Sequence, residues 1–199
     1  MEAVNFYKKI LFILLFITGT TLFSDTFRSP PSNNIVMLGD SITKQVSWKK
    51  LINRNNIINL AQNGADTINL TNQIYNLKKR KTNKAFILIG INDIIKDRSI
   101  EAIFINIKSI IEELKKQNIE PILQSILYLP QRYPHSYTKK ISKLNNMLKK
   151  YSQKQNIKYI DINRYFSKNK TLKQKYIKNG IGLNKRAHNI WAATLKPHM

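Results

Sequence analysis

Ser41 closes an uninterrupted apolar run, Ile35, Val36, Met37 and Leu38, through the turn Gly39-Asp40-Ser41. Large and β-branched residues without a polar break suit a strand buried on both faces. Ligands of open parallel α/β sheets bind at the carboxyl ends of the strands, so a serine there is a candidate nucleophile. The same residues also suit a strand-to-helix turn in which Ser41 merely caps the following helix. Two further polar turns close apolar runs: Asn63-Gly64 after Ile57, Ile58 and Leu60, and Gly90-Ile91-Asn92-Asp93 after Ala85 to Ile89. Each is ordinary turn chemistry by itself, but together they set a serine, a glycine and an asparagine amide along one sheet edge. A serine hydroxyl needs a base within about 2.6–3.2 Å to take its proton. Of the three histidines, His135 falls in the loop after the fourth apolar run, on that same edge, and is the candidate substitute base, with an exposed helix start as its alternative. His188 reads as a surface or packing residue of the last helix, and His198 lies near the end of the sequence.

The intervening segments must hold these turns in place. Residues 43–54 carry Val46, Trp48, Leu51 and Ile52 at loose helical spacing, and Asp66 or Thr67 caps a second helix with Ile68, Ile74 and Leu77 as its buried face. Ser99 opens a strongly amphipathic helix through Gln117, with Ile103, Ile107, Ile110, Ile111 and Leu114 on one stripe. Residues 119–127 and 157–161 read as the fourth and fifth strands, separated by a helix that runs from Ser136 or Thr138 to Gln155. Residues 162–178 read as loop and short helix, and Asn184 opens a last helix carrying Ile190, Trp191 and Leu195. Asp40 and Asp93 are expected to hold their own turns by local hydrogen bonds. Strands alternating with helices predict a single doubly wound, three-layer α/β domain of about five parallel strands, flavodoxin-like in plan.

Composition narrows the classes of function. The 199 residues suffice for one domain with a sizeable core, and the absence of cysteine excludes disulfides, thiolate metal sites and cysteine-linked lipid. With 34 lysines and arginines against 11 acidic residues, the net charge is +23. Such a charge fits an anionic partner surface, yet the lysines are dispersed among asparagines and isoleucines, with no arginine-rich arm or zinc-finger spacing, which argues against nucleic acid. Carboxylates are few and never paired with histidine at ligand spacing, so no metal and no cofactor are expected. Lys8-Lys9 followed by the apolar run from Ile10 to Ile17 matches a secretory signal, and no clean small-residue cleavage site follows it. Residues 1–24 are therefore read as a signal peptide or an amino-terminal membrane anchor, 25–33 as a Pro-containing linker and 34–199 as the domain, exported to the periplasm or beyond the cell.

The three turns, in this order, resemble the sequence blocks of the GDSL or SGNH hydrolases. Gly39-Asp40-Ser41-Ile42 is similar to the first block with Ile for Leu, Gly64 to the second, and Gly90-x-Asn92-Asp93 to the third. The resemblance implies hydrolysis of an acyl or acetyl ester of a glycan or lipid. Ser41 would be the nucleophile, and the backbone N–H groups of Ser41 and Gly64 with the Asn92 amide would form the oxyanion hole. The family takes its base from an Asp-x-x-His segment before the last helix. Here Leu183-Asn184 sets the register of that segment, and the two positions hold Asn179 and Gly182. Two expectations follow: an ester hydrolase of low activity with its base missing or relocated, or a catalytically degenerate member that binds a glycan or partner in the cell envelope.

Overall fold

The computed structural model describes residues 34–75 and 77–199. The segments read as signal or anchor (1–24) and linker (25–33) lie outside the described residues. The first strand, β1 (Asn34–Gly39), is covered on both faces, with Val36, Met37 and Leu38 wholly buried. With β2 (Ile57–Asn59), β3 (Thr82–Leu88), β4 (Glu120–Gln124) and β5 (Lys158–Ile160) it forms a parallel sheet of order β2-β1-β3-β4-β5. The chain thus reverses direction across the sheet after β2. Right-handed crossovers then put the β1–β2 connection on one face and the later ones on the other.

The helices obey that rule. On one face α1 (Ser41–Lys44) and α2 (Trp48–Ile52) follow β1, and α2 packs on the last helix, α8 (Lys185–Leu195). On the other, α3 (Thr67–Ile74) packs on α5 (Ile100–Lys116), and α5 packs on α6 (His135–Lys154). Two short helices, α4 (Ile91–Ile95) and α7 (Asn163–Phe166), fill the turns after β3 and β5. The arrangement is the doubly wound three-layer α/β fold that the strand–helix alternation predicts. Among the described residues no helix is long and apolar enough to cross a membrane.

Each layer is fixed by identifiable residues. The Ser99 hydroxyl accepts from Ala102 N at 3.2 Å to start α5, whose isoleucine and leucine stripe is fully buried. Trp48 and Trp191 meet edge to face at 5.0 Å between α2 and α8. Their indole N–H groups donate to the Thr43 carbonyl (3.0 Å) and to Gln124 Oε1 (2.7 Å), so two large apolar surfaces are buried with no orphan donor.

Four local expectations need correction. Residues 43–54 form two short helices, because the Asn59 side-chain amide reaches from β2 to the carbonyls of Thr43, Lys44 and Val46 and holds the chain in a break there. Ile68 is 49% exposed, and the buried stripe of α3 is Thr67, Leu70 and Ile74. The α6 helix begins at His135 directly after Pro134 and has no side-chain cap. Residues 167–183 contain two hairpins, β6 (Ser167–Lys168) with β7 (Thr171–Leu172) and β8 (Ile177–Asn179) with β9 (Gly182–Leu183). Asn169 and Lys170 both take positive φ, as a two-residue hairpin turn requires.

Gly39 is where the strand meets the site-bearing turn most tightly. A Cβ there would lie 2.4 Å from the Leu88 carbonyl oxygen and 2.6 Å from Thr43 Oγ1. Since the carbonyl belongs to a central strand that has nowhere to move, Gly39→Ala should lower unfolding free energy by about 1–3 kcal/mol, read from urea melts. An unchanged midpoint would show that β1 and β3 are not held this closely.

Candidate active site

The turn after β1 is built by Asp40. It precedes α1 with extended backbone and accepts from Ile42 N through Oδ1 at 2.9 Å, as an N-cap aspartate does. This leaves Ser41 as the first residue of α1, partly exposed at the sheet edge. Among the described residues neither its hydroxyl nor its backbone N–H has a hydrogen-bond partner, the latter being one of the donors a helix start leaves unused. Asp40 itself is fully buried, and its Oδ2 has no partner. Burial pushes its carboxyl from 3.8 up to about 7, against the pull of the Ile42 and Thr43 N–H groups and with a smaller push from the Asp93 charge.

The turn after β2 is tied to β1 by Gln62 N, which donates to the Gly39 carbonyl at 3.0 Å. Gly64 follows with φ +70, exposed, and with open space on the side where a Cβ would point. Its backbone N–H has no acceptor among the described residues. The turn after β3 comes up beside it. Asn92 donates one amide hydrogen to the Ala65 carbonyl at 2.8 Å, which fixes the side chain and leaves the second Nδ2 hydrogen unused. Asp93 does not hold its own turn, as expected from sequence, but reaches across to α3. Its carboxylate accepts from Thr67 N (3.0 Å) and Thr67 Oγ1 (2.6 Å) and pairs with Arg98 Nε at 3.4 Å. Asp66 completes the junction: it exchanges capping bonds with Asn69 and pairs with Lys96 and Arg98, contacts that hold its carboxyl below its ordinary value against the opposing effect of burial. The turns bearing Ser41, Gly64 and Asn92 therefore lie on adjacent strands and are bonded to one another.

The β8–β9 hairpin brings up the remaining segment. Gly182 is buried against α1: a Cβ on it would stand 3.4 Å from Gln45 Oε1, and 3.2 Å from both the carbonyl and the side-chain oxygen of Asn179. The hairpin is steadied by Arg132, whose guanidinium donates to the Gly180 carbonyl at 2.6 Å, and by Asn184, which donates to the Tyr176 carbonyl at 2.8 Å and caps α8. Two uncharged amides, Gln45 and Asn179, thus converge beside a glycine that sits against the Ser41 helix. Neither of these two amides can accept a proton at neutral pH.

The histidines stand elsewhere. His135 is exposed in the first turn of α6 and makes no hydrogen bond to Ser41 among the described residues. His188 lies in α8 with Nε2 buried and unpartnered; burial first, and then Lys178, hold its imidazole below 6.5. His198 accepts from Lys84 through its carbonyl. Sequence patterns gave no sign of the contributions of Gln45, Arg98 and Arg132. Only Thr67 carried one, as a candidate helix cap. A groove of about 470 Å³ along β5, lined by Lys158, Asp161, Arg164, Tyr165 and His198 among others, shares no residue with this edge.

A doubly wound sheet carrying a serine, a glycine and an asparagine along the carboxyl ends of its strands defines an SGNH-type hydrolase scaffold. Residues 37–190 match the model of the GDSL-like lipase/acylhydrolase family, and the chain belongs to that family. Similar folds include a GDSL-like lipase from Bacteroides thetaiotaomicron (TM-score 0.75, 21% identity, 84% of this chain and 87% of the other) and a lipase/acylhydrolase from Enterococcus faecalis (TM-score 0.71, 17% identity, 83% and 94%). The N-acylneuraminate cytidylyltransferase of Streptococcus agalactiae is 27% identical over 155 residues, 78% of this chain. The match spans only 36% of that relative's length.

Asp40 gives the site a pH signature. A native carboxyl at about 7 stays protonated where the unfolded chain, at 3.8, has already ionised. Its contribution to stability is thus greatest below about pH 4 and is lost as pH rises toward 7. His188, with the opposite sign, acts equally in both proteins compared. Asp40→Asn, which keeps the acceptor for Ile42 N, should lose less stability than the parent between about pH 4 and pH 7 in thermal melts. Superimposable profiles would show that Asp40 ionises normally.

Proposed function

We propose that this domain hydrolyses acyl esters, on a glycan or lipid outside the cytoplasm, by oxyanion stabilisation with little or no help from a general base. The observation that carries the reading is the Asn92 amide, pinned by one hydrogen on Ala65 with the other unused, beside the unpaired N–H groups of Ser41 and Gly64. Addition of an oxygen nucleophile to an ester moves the carbonyl π electrons onto oxygen. Donors already aimed at that oxygen stabilise the charge without reorganising during the reaction. Collapse of the intermediate breaks the bond to the alcohol, which leaves with the nucleophile's proton. Water as nucleophile gives the acid directly, whereas an acyl group taken up by Ser41 needs a second addition, of water, to release the acid and restore the hydroxyl. The slow step is removal of the nucleophile's proton, because Gly182 and Asn179 offer no base. A hole and a binding site alone still leave about 10³–10⁴ of acceleration over water.

A second reading, a glycan- or partner-binding protein of the cell envelope that has lost turnover, is favoured by the two amides at Gly182, which can donate to a bound acyl group but cannot accept a proton at neutral pH. A small activated acetate ester separates the two. On the hydrolase reading the full-length protein cleaves it slowly, Asn92→Ala lowers the rate by about 10²–10³, and Ser41→Ala changes it little. No cleavage above buffer, or a rate indifferent to Asn92, would overturn that reading in favour of binding. A fall of several orders of magnitude on Ser41→Ala would reveal a relocated base, with His135→Ala the first variant to try.

The missing dyad can also be restored. Asn179→Asp with Gly182→His, and Gln45→Ala to clear the space beside Gly182, should raise the rate, and Ser41→Ala should then abolish the gain. A folded triple variant with no gain would show that the hairpin does not deliver an imidazole to Ser41.

A further inference from the structure

The positive charge of this protein is distributed by face. Residues 41–65 hold four lysines and arginines and no acidic residue, and residues 162–199 hold nine and again no acidic residue. These two segments are far apart in sequence but pack together, α2 on α8 and β9 on α1. The result is a surface on one side of the sheet, leading from the Ser41 turn, to which neither segment contributes a carboxylate side chain; Asp161 borders it at the β5 end, in the groove with Arg164 and His198. Lys44, Lys49, Lys50, Lys178, Lys185 and Arg186 are all exposed on it. Among the described residues every ion pair uses a cation outside these segments: Lys84, Lys96, Arg98, Lys140 or Lys143. The ion-paired carboxylates are thus matched to cations of other elements, and the six exposed cations of this face have no ion-pair partner among the described residues.

We propose that this face binds a polyanionic polysaccharide and that the acyl ester presented to Ser41 is carried on it. The second half of the statement rests on the hydrolase reading above; the first does not. Several unpaired cations at fixed spacing attract a repeating anion far more strongly than a small neutral ester, and binding releases the counterions condensed on the polymer. The alternatives fit less well. A protein seated on an anionic membrane places apolar side chains in the interface beside its basic ones. The large exposed apolar residues here, Ile68, Tyr75, Ile95 and Ile105, lie on or beside α3, α4 and α5 instead. Single-stranded nucleic acid is held by exposed aromatic platforms. On this face Trp48, Trp191 and Tyr176 are buried.

The experiment measures direct binding of the full-length protein to polygalacturonate, with dextran as the neutral comparator. Binding to polygalacturonate and not dextran is expected, weakening about tenfold or more between about 50 and 200 mM NaCl. Combined Lys49→Glu, Lys50→Glu, Lys185→Glu and Arg186→Glu should weaken it by about tenfold or more. Lys139→Glu, Lys149→Glu, Lys150→Glu and Lys154→Glu on α6 change the net charge equally and should leave it within about threefold. Should the first variant fail to fold, Lys49→Glu with Lys50→Glu alone must still weaken binding more than any pair on α6. Equal losses from the two sets, or dextran bound as well as polygalacturonate, would overturn the proposal. So would displacement of bound polygalacturonate by anionic phospholipid vesicles or duplex DNA at lower charge concentration than by free polygalacturonate. Because no ester is consumed in this assay, its failure leaves the hydrolase reading standing, and absent turnover leaves this one standing.

Discussion

The site depends first on the carboxylate of Asp93, wholly buried at the start of the layer outside β3. A buried charge is tolerated only when its oxygens are paired, and here both are occupied by Thr67 and Arg98. Thr67 Oγ1 in turn accepts from Asn106, so the junction is anchored in the long helix α5. Removing one partner of such a network leaves an uncompensated group and typically costs about 3–5 kcal/mol. What that energy secures is position. The Gly64 turn has little packing of its own, with open space about it, and is located by its downstream neighbours Ala65, Asp66 and Thr67, each bonded to the β3 turn or its surroundings. The proposed oxyanion hole, spread over three strand ends, would need this cross-bracing, because donors displaced by about 1 Å lose most of their effect.

Asp40 and Asp93 are both buried near Ser41 and are partnered differently. Asp93 has a cation and two hydroxyl or amide donors. Asp40 has backbone N–H groups on one oxygen and nothing on the other, so burial dominates and its proton is held to about pH 7. A carboxyl whose ionisation is held back to about pH 7 suits its position. A full negative charge next to Ser41 would oppose the oxyanion that the adjacent N–H groups stabilise. The turn thus keeps its cap while limiting the charge that capping brings to the reaction centre.

Much of this was readable in the chain itself. Buried parallel strands declare themselves as continuous apolar runs, and the runs ending at Gly39, Leu60 and Ile89 placed the three turns on one edge. The α5 stripe was equally plain because it repeats along a helix of 17 residues. The breakdowns have physical causes. Asn59 interrupts the helix after Ser41 from a different strand, and no local pattern encodes a contact across sixteen residues of chain. Strands of two or three residues are too short to alternate, so the hairpins after α7 left no period to detect. Ile68 was misplaced because Thr67 turns inward to meet Asp93, and a polar residue in the buried stripe defeats a hydrophobic count. Gln45 was invisible as a neighbour of Gly182 for the reason that hid Asn59: the two meet only through the packing of β9 on α1.

That packing also holds the shape of the segment without an ionisable side chain at 179 or 182. Leu183 is fully buried, Asn184 caps α8 through its side chain and binds two carbonyls of the preceding strand region, and Arg132 clamps the turn at Gly180. None of these contacts involves a catalytic group. An aspartate and a histidine at 179 and 182 would add nothing the fold requires, and an imidazole would have to be accommodated against Gln45 and the Asn179 carbonyl. Structural and chemical constraints are therefore carried by different residues of one hairpin. The structural set holds the hairpin against the Ser41 helix with an amide at 179 and a glycine at 182, so the position of the segment does not depend on a proton-transfer group at either place.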